Sequence, residues 1–133
     1  MTSKVTYLGN LRTSSTHLQS SQTIINDAPV DNHGKGEAFS PTDLVANSLA
    51  TCMFTIMAIK ATDMEVNLED STAEVTKIMQ ASPRKIAEIK IDFTMNISVD
   101  DKTKTILERA AFTCPVYLSL NPDIIKTISF NWK

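Results

Sequence analysis

The clearest pattern of hydrophobic and polar positions lies in residues 89–99. Apolar side chains occupy every second position there, at Ile89, Ile91, Phe93, Met95, Ile97 and Val99. Because successive side chains of a strand point to opposite faces, this alternation predicts a β-strand with one buried face. Residues 66–80 alternate more weakly and predict a preceding strand, with a turn at residues 81–85 around Pro83.

Both ends of the chain also carry strand patterns. Residues 5–26 are rich in Thr and Ser with scattered apolar positions, which predicts two or three strands. Residues 27–39 contain Pro29, Gly34 and Gly36 and predict a loop. The apolar positions of residues 124–132 predict a final strand.

The strongest helix signal begins at Ser40. Ser40 suits the N-cap, Pro41 the first helical position, and Asp43 supplies a carboxylate to the first turn. The helix is predicted to run to about Thr62. Its apolar residues are distributed around most of the circumference, at Leu44, Val45, Leu49, Cys52, Met53, Ile56, Met57 and Ile59. Such a helix is buried on most sides, so we expect it to be the central helix of the fold.

Two shorter helices are predicted before the last strand. Asp100 or Asp101 caps a helix that runs to about Ala111, and Cys114-Pro115 opens a second one that ends near Leu120. The predicted order is β-β-α-β-β-α-α-β. This order is typical of an α+β fold with a largely antiparallel sheet, and the length of 133 residues predicts a single domain over residues 1–133.

Composition and charge exclude several classes of function. The formal net charge is −2, so no basic excess favours nucleic acid as a partner. The N-terminal residues contain no apolar segment typical of a secretory signal. The most apolar stretch, residues 44–59, is interrupted by polar residues, which argues against a membrane span. We therefore expect a cytoplasmic protein that does not associate with a membrane.

Cys52 and Cys114 are the only cysteines. In a reducing compartment, disulfides are rare unless they are transient or catalytic, so a redox role for two thiols is one interpretation. The other, which the count alone favours, is that both are small buried apolar residues. Cys114 lies at a predicted helix start, where backbone N–H groups favour a thiolate. Cys52 lies in mid-helix in a buried environment, where a reactive thiolate would need a nearby cation.

A metal site is a third interpretation of the cysteines. Its ligands would come from Cys52, Cys114, His17 and His33, but no pair has the close spacing of known zinc sites. The sequence therefore predicts neither a metal nor another cofactor.

Three segments resemble the OsmC/Ohr family of peroxide-resistance thiol proteins. The helix start and the residues up to the first cysteine, Ser40 to Cys52, resemble that family's central helix. Cys114-Pro115-Val116 is similar to its C-terminal Cys-Pro helix start, and residues 124–132 resemble its closing strand. The resemblance covers nearly the whole chain, with the elements in the same order.

The resemblance implies an OsmC-like fold, an intertwined homodimer and a specific chemistry. Cys52 would be the peroxidatic thiol and Cys114 the resolving thiol. The substrates would be organic hydroperoxides, and the reductant a dithiol such as a lipoylated protein. Gly9-Asn10-Leu11-Arg12 is similar to a family segment whose arginine stabilises the thiolate, which implies that role for Arg12.

One position departs from the family pattern. Well-characterised members have a Glu directly after the helix-opening Pro, where it holds the arginine, whereas this chain has Thr42. The carboxylate follows one residue later, at Asp43, which a helix turns by about 100°. We expect Asp43 to act at the site, with Glu37 as a further candidate. The departure keeps a second function open, a non-catalytic dimer that binds a small apolar or electrophilic ligand in its interface pocket.

Overall fold

The computed structural model describes all 133 residues and confirms the α+β class. The elements are, in chain order, β1 (Ser3–Gly9), β2 (Arg12–His17), β3 (Thr23–Asp27), α1 (Pro41–Asp63), β4 (Thr72–Gln80), β5 (Lys85–Met95), α2 (Asp101–Ala111), α3 (Pro115–Ser119) and β6 (Ile125–Trp132). The chain forms two compact units, Met1–Val45 and Ala46–Lys133. The single domain expected from the length stays a prediction.

The first unit contains an antiparallel sheet in the order β1-β2-β3, which confirms the strands predicted at the N-terminus. The β1–β2 turn is unusual because Asn10 and Leu11 both adopt a left-handed backbone, with φ of 54° and 61°. The turn is held by two hydrogen bonds, because Leu11 donates its N–H to the Tyr7 hydroxyl and accepts the N–H of Ala28. Arg12 therefore starts β2 at a fixed point, directly opposite Asp27 of β3.

α1 begins where the sequence predicts. The Ser40 hydroxyl accepts the N–H of Asp43 at 3.0 Å, and the Asp43 carboxylate accepts the N–H of Ser40 at 2.9 Å. This reciprocal capping box satisfies donors that a helix start otherwise leaves unpaired. The helix ends at Asp63, one residue beyond the predicted end.

The expectation that α1 is buried on most sides is wrong within the chain. In the second unit its buried residues are Ala46, Leu49, Ala50, Met53, Met57 and Ala61, which form one face, while Thr51, Thr55 and Ile59 are exposed. By length and composition alone, α1 could cross a membrane, a property that it shares with core helices of soluble proteins. Its polar interruptions remain the argument against a span.

The second unit contains a mixed sheet in the order β4-β5-β6. β4 and β5 are antiparallel, whereas β5 and β6 are parallel, because the chain crosses over through α2 and α3 before it returns. β4 starts at Thr72, later than the predicted residue 66. β5 ends at Met95, short of the predicted alternation, and Asp100 then accepts the N–H of Thr103 as the N-cap of α2.

A series of aromatic contacts links the helices of this unit through the sheet. Phe93 of β5 contacts Phe54 of α1 edge to face at 4.7 Å between ring centroids, and stacks on Phe130 of β6 at 5.0 Å. Phe112 contacts both Phe130, at 6.2 Å, and Tyr117 of α3, at 5.4 Å. Such pairs add specific geometry to apolar burial, so the series fixes α1 and α3 against one sheet.

Leu107 and Leu118 allow a matched test of this packing. Leu107 of α2 is fully buried, whereas Leu118 of α3 is 71% exposed. We expect Leu107→Ala to lower the free energy of unfolding by about 2–5 kcal/mol through lost contacts and a residual cavity. Leu118→Ala should change it by less than about 0.5 kcal/mol. Equal losses in urea denaturation would contradict the described core.

Candidate functional site

The two cysteines lie together in the second unit. Cys52 is half-buried on α1, and Cys114 is fully buried at the N-cap of α3. Both are free thiols, and Cys52 is near enough to Cys114 to raise the pKa of the Cys114 thiol. Cys52 was expected in a buried environment, and the structure shows it only partly buried against the core. Neighbouring thiols are a requirement of thiol–disulfide chemistry, because one sulfur must be able to reach the other.

Opposing effects act on the Cys114 thiol. Burial raises its pKa most strongly, and the neighbouring Cys52 raises it further. The backbone N–H of Tyr117 donates to the Cys114 sulfur at 3.2 Å and lowers the pKa, as does the N–H of Val116. The net shift is upward, so the expected preference for a thiolate at this helix start is wrong. Cys114 is held as a protonated thiol at neutral pH, because loss of water outweighs the backbone donors.

Arg12 forms a fork-shaped ion pair in the first unit. Its Nε and Nη2 donate to the two carboxylate oxygens of Asp27, each at 2.7 Å, and Nη2 also lies 3.4 Å from Glu37 Oε2. The Asp27 side chain is only 2% exposed, whereas that of Glu37 is 62% exposed. Asp27 is thus the principal partner of Arg12, and Glu37 is a peripheral one.

The ion pair has a defined pH behaviour. The hydrogen bonds from Arg12 lower the pKa of Asp27 most strongly, and a hydrogen bond from the Glu37 backbone N–H lowers it further. The same pair raises the pKa of Arg12. A carboxylate with a depressed pKa stabilises the fold above its unfolded value, near 3.9, and loses this contribution as the pH falls through the folded pKa. The pair is therefore fully ionised at neutral pH.

The carboxylate that holds Arg12 was missed by the sequence reasoning. Asp43 serves as the capping acid of α1, and its expected catalytic role stays a prediction. Glu37 does reach Arg12, but as the weaker of two partners. Asp27 lies 15 residues from Arg12, at the end of a strand. The pairing of β2 with β3 would have identified Asp27, because this pairing sets Arg12 and Asp27 opposite each other.

The described contacts of the two histidines involve residues other than the cysteines. His17 Nδ1 bonds the Ser20 hydroxyl at 2.7 Å, and His33 ends a short 3-10 turn with a left-handed backbone. No group of three or more His, Cys, Asp or Glu side chains could hold a metal ion. The role that the resemblance implies for Arg12, stabilisation of the Cys52 thiolate, stays a prediction.

The unequal burial of the cysteines predicts selective alkylation. With less than one equivalent of iodoacetamide at pH 7, we expect the label on Cys52, with Cys114 at least about tenfold slower because of its burial and raised pKa. Peptide mass spectrometry of the labelled chain measures this ratio. As a control, the two sites should react at similar rates in denaturant. Equal labelling of the native chain would contradict the described thiol environments.

Solved structures resemble the chain over almost its full length. A protein from Psychrobacter arcticus, provisionally described as an osmotic stress induced and detoxification response protein, is 58% identical, with a TM-score of 0.96 over 98% of this chain and 96% of its own. An organic hydroperoxide resistance protein from Legionella pneumophila is 17% identical, with a TM-score of 0.73 over 97% and 94%. The organic hydroperoxide resistance protein OhrB of Bacillus subtilis is 17% identical, with a TM-score of 0.66 over 98% of each chain.

The two more distant structures support the fold alone, since their sequences are only 17% identical. A comparison with curated protein sequences found no match. The family model for OsmC-like proteins matches residues 34–128, which include both cysteines and the whole of α1. With most of its length matched, the chain belongs to the OsmC-like protein family.

Proposed function

We propose that the chain reduces organic hydroperoxides through Cys52 and Cys114, with an external dithiol as reductant. The observation that carries the proposal is the neighbouring pair of free thiols, one half-buried and one buried. Membership of the OsmC-like family supports it, and two solved proteins that share the fold are described as organic hydroperoxide resistance proteins.

Cys52 carries out the first step, because its sulfur is the more accessible of the two. Its thiolate attacks the distal oxygen of the hydroperoxide, the O–O bond breaks, and the alkoxide leaves as an alcohol after it takes a proton from water. Cys52 then carries a sulfenic acid. Arg12 assists by donating hydrogen bonds to the charge that develops on the peroxide oxygens.

Cys114 carries out the second step. Its raised pKa keeps it protonated in the resting pair, so it does not compete with Cys52 as a nucleophile. Its sulfur then attacks the sulfenic acid, water leaves, and a Cys52–Cys114 disulfide forms. One peroxide and two thiols thus give one alcohol, one water and one disulfide.

A dithiol completes the cycle by thiol–disulfide exchange. It attacks the disulfide, passes through a mixed disulfide, and leaves both protein cysteines reduced and itself oxidised. A lipoylated protein is a reductant of this class. A cytoplasmic location is part of the same proposal, because thiols are kept reduced there.

Thiol counting before and after peroxide tests the proposal. One equivalent of cumene hydroperoxide should remove both thiols of the chain. In Cys114→Ser, one thiol should be lost and a sulfenic acid on Cys52 should be trapped by dimedone. In Cys52→Ser, the buried Cys114 should survive the same exposure.

Survival of both wild-type thiols in excess peroxide at neutral pH would reject the peroxidase proposal. A non-catalytic dimer that binds a small apolar or electrophilic ligand would then be the remaining function. Loss of thiols with equal rates in the two single variants would instead reject the assignment of roles to Cys52 and Cys114.

A homodimer is the proposed assembly, and exposed apolar residues of the first unit support it. Val5, Tyr7 and Ile24 are 61%, 63% and 46% exposed. Val5 and Ile24 both pair with Ser15, and Tyr7 lies two residues along β1, so all three share one face of the sheet. Several exposed apolar residues on one face of a sheet are typical of a surface that a protein partner covers. α1 also keeps exposed apolar residues, such as Ile59.

Sedimentation analysis tests the dimer with two adjacent residues of β1. The wild type should sediment at twice the chain mass of 14.7 kDa. Val5→Glu should shift it to the monomer, because a charge would be buried in the interface. Lys4→Glu is the control, since Lys4 points to the opposite face of the strand and should leave the dimer intact. A monomeric wild type, or equal effects of the two variants, would reject the assembly.

A further inference from the structure

We propose that Asp27 is the positioning residue of Arg12, and that it orients the guanidinium as a directed hydrogen-bond donor. The proposal rests on the function proposed above, in which Arg12 stabilises the charge that develops on the peroxide oxygens. It concerns the carboxylate at the end of β3, which neither the capping box nor the cysteine pair uses.

The geometry of the pair fixes the plane of the guanidinium. Two parallel hydrogen bonds of 2.7 Å join Arg12 Nε and Nη2 to the two oxygens of Asp27. A single bond would leave the group free to swing, whereas a fork with two bonds determines both its direction and its plane. The contacts with Asp27 and Glu37 use Nε and Nη2, so Nη1 remains as the donor that can act on a substrate.

The Asp27 carboxylate is itself held in place. Its Oδ2 accepts the backbone N–H of Glu37 at 3.1 Å, and the Asp27 backbone N–H donates to the carbonyl of Phe39 at 3.2 Å. Its neighbour Asn26 donates to the same carbonyl at 3.0 Å through its side chain. The carboxylate is thus anchored at the end of β3 and on the segment that leads into α1, and almost no water reaches it.

Arg12 is held equally firmly from its own side. It is paired with Asp27 across the β2–β3 ladder, so strand register alone sets the two side chains opposite each other. The preceding residue, Leu11, has a left-handed backbone and is tied to both Tyr7 and Ala28. A bulky residue adopts this conformation only where its surroundings impose it, so the start of β2 has little freedom.

The charges show which kind of assistance this arrangement supplies. The positive charge of Arg12 faces two negative charges, those of Asp27 and Glu37, so the group as a whole is not cationic. A residue needed as a free positive charge would be weakened by such partners. A residue needed as an oriented donor gains from them, because the donor direction is set before the reaction starts.

Arg12 as a free positive charge and Arg12 as an oriented hydrogen-bond donor predict opposite effects of Asp27→Asn on the rate of peroxide reduction. This change removes a negative charge beside Arg12 and disrupts the fork at nearly constant volume. If Asp27 orients Arg12, the second-order rate constant for oxidation of Cys52 by cumene hydroperoxide should fall by about tenfold or more. The rate of alkylation by iodoacetamide should change by less than about twofold, since that reagent needs no donor at a leaving oxygen. An unchanged or higher peroxide rate would overturn the proposal.

Further variants separate positioning from folding. Arg12→Lys keeps the charge but cannot form two parallel bonds, so it should show the same selective loss. In an Arg12→Ala background, Asp27→Asn should have no additional effect, because Asp27 acts only through Arg12. Asp123→Asn makes the same chemical change at an exposed site in the second unit and should match the wild type.

The outcomes keep this proposal distinct from the proposed function. If the wild type consumes no peroxide, the function fails and this proposal fails with it. If the wild type is active but Arg12→Lys matches it, only the positioning role of Asp27 fails. Thermal denaturation of each variant identifies loss of fold, and should Asp27→Asn be unfolded at the assay temperature, Arg12→Lys decides the question.

Discussion

The packing of α1 and α3 on the same sheet is the constraint on which the candidate thiol site depends. Phe54 lies two residues after Cys52, and Tyr117 supplies the N–H that bonds the Cys114 sulfur. These two aromatic residues are the ends of the series of ring contacts that passes through Phe93, Phe130 and Phe112. Tyr117 contacts Cys114 directly through its backbone N–H, Phe54 fixes the helix that carries Cys52, and both cysteines pack in the same core cluster as free thiols.

Local signals predicted the parts of the fold that local chemistry determines. Ser40, Pro41 and Asp43 satisfy the backbone of a helix start among themselves, so the start of α1 was predicted to the residue. The extent of burial of α1 was not predicted correctly. Apolar residues around a helix indicate which faces could be buried, but not which faces the chain itself buries. The parallel pairing of β5 with β6 likewise depends on the crossover, which is a property of the whole unit.

The candidate site also has features that the local sequence predicts and features that depend on residues distant in the chain. Cys114 was placed at a helix start from the Cys-Pro sequence, yet its pKa moves against the helix-start effect because its burial comes from residues distant in the chain. Asp27 was read as the beginning of a loop, and no residue near it in sequence indicates a partner. Only the register of β2 and β3 brings Arg12 to it. Residues that act through a tertiary neighbour are those that a linear pattern is least able to identify.

The two thiols differ in the ways that a sequential mechanism would require. A pair of equally exposed cysteines would close a disulfide with any oxidant, whereas here one sulfur is partly accessible and the other is kept protonated by burial. The backbone N–H groups at Cys114 therefore matter after the thiol has lost its proton, and not while it is protonated. They can stabilise negative charge on that sulfur once it is transiently deprotonated, while the apolar surroundings keep the charge from forming earlier. In the proposed mechanism, burial sets when Cys114 can react, and the backbone donors at the helix start set how readily it does so.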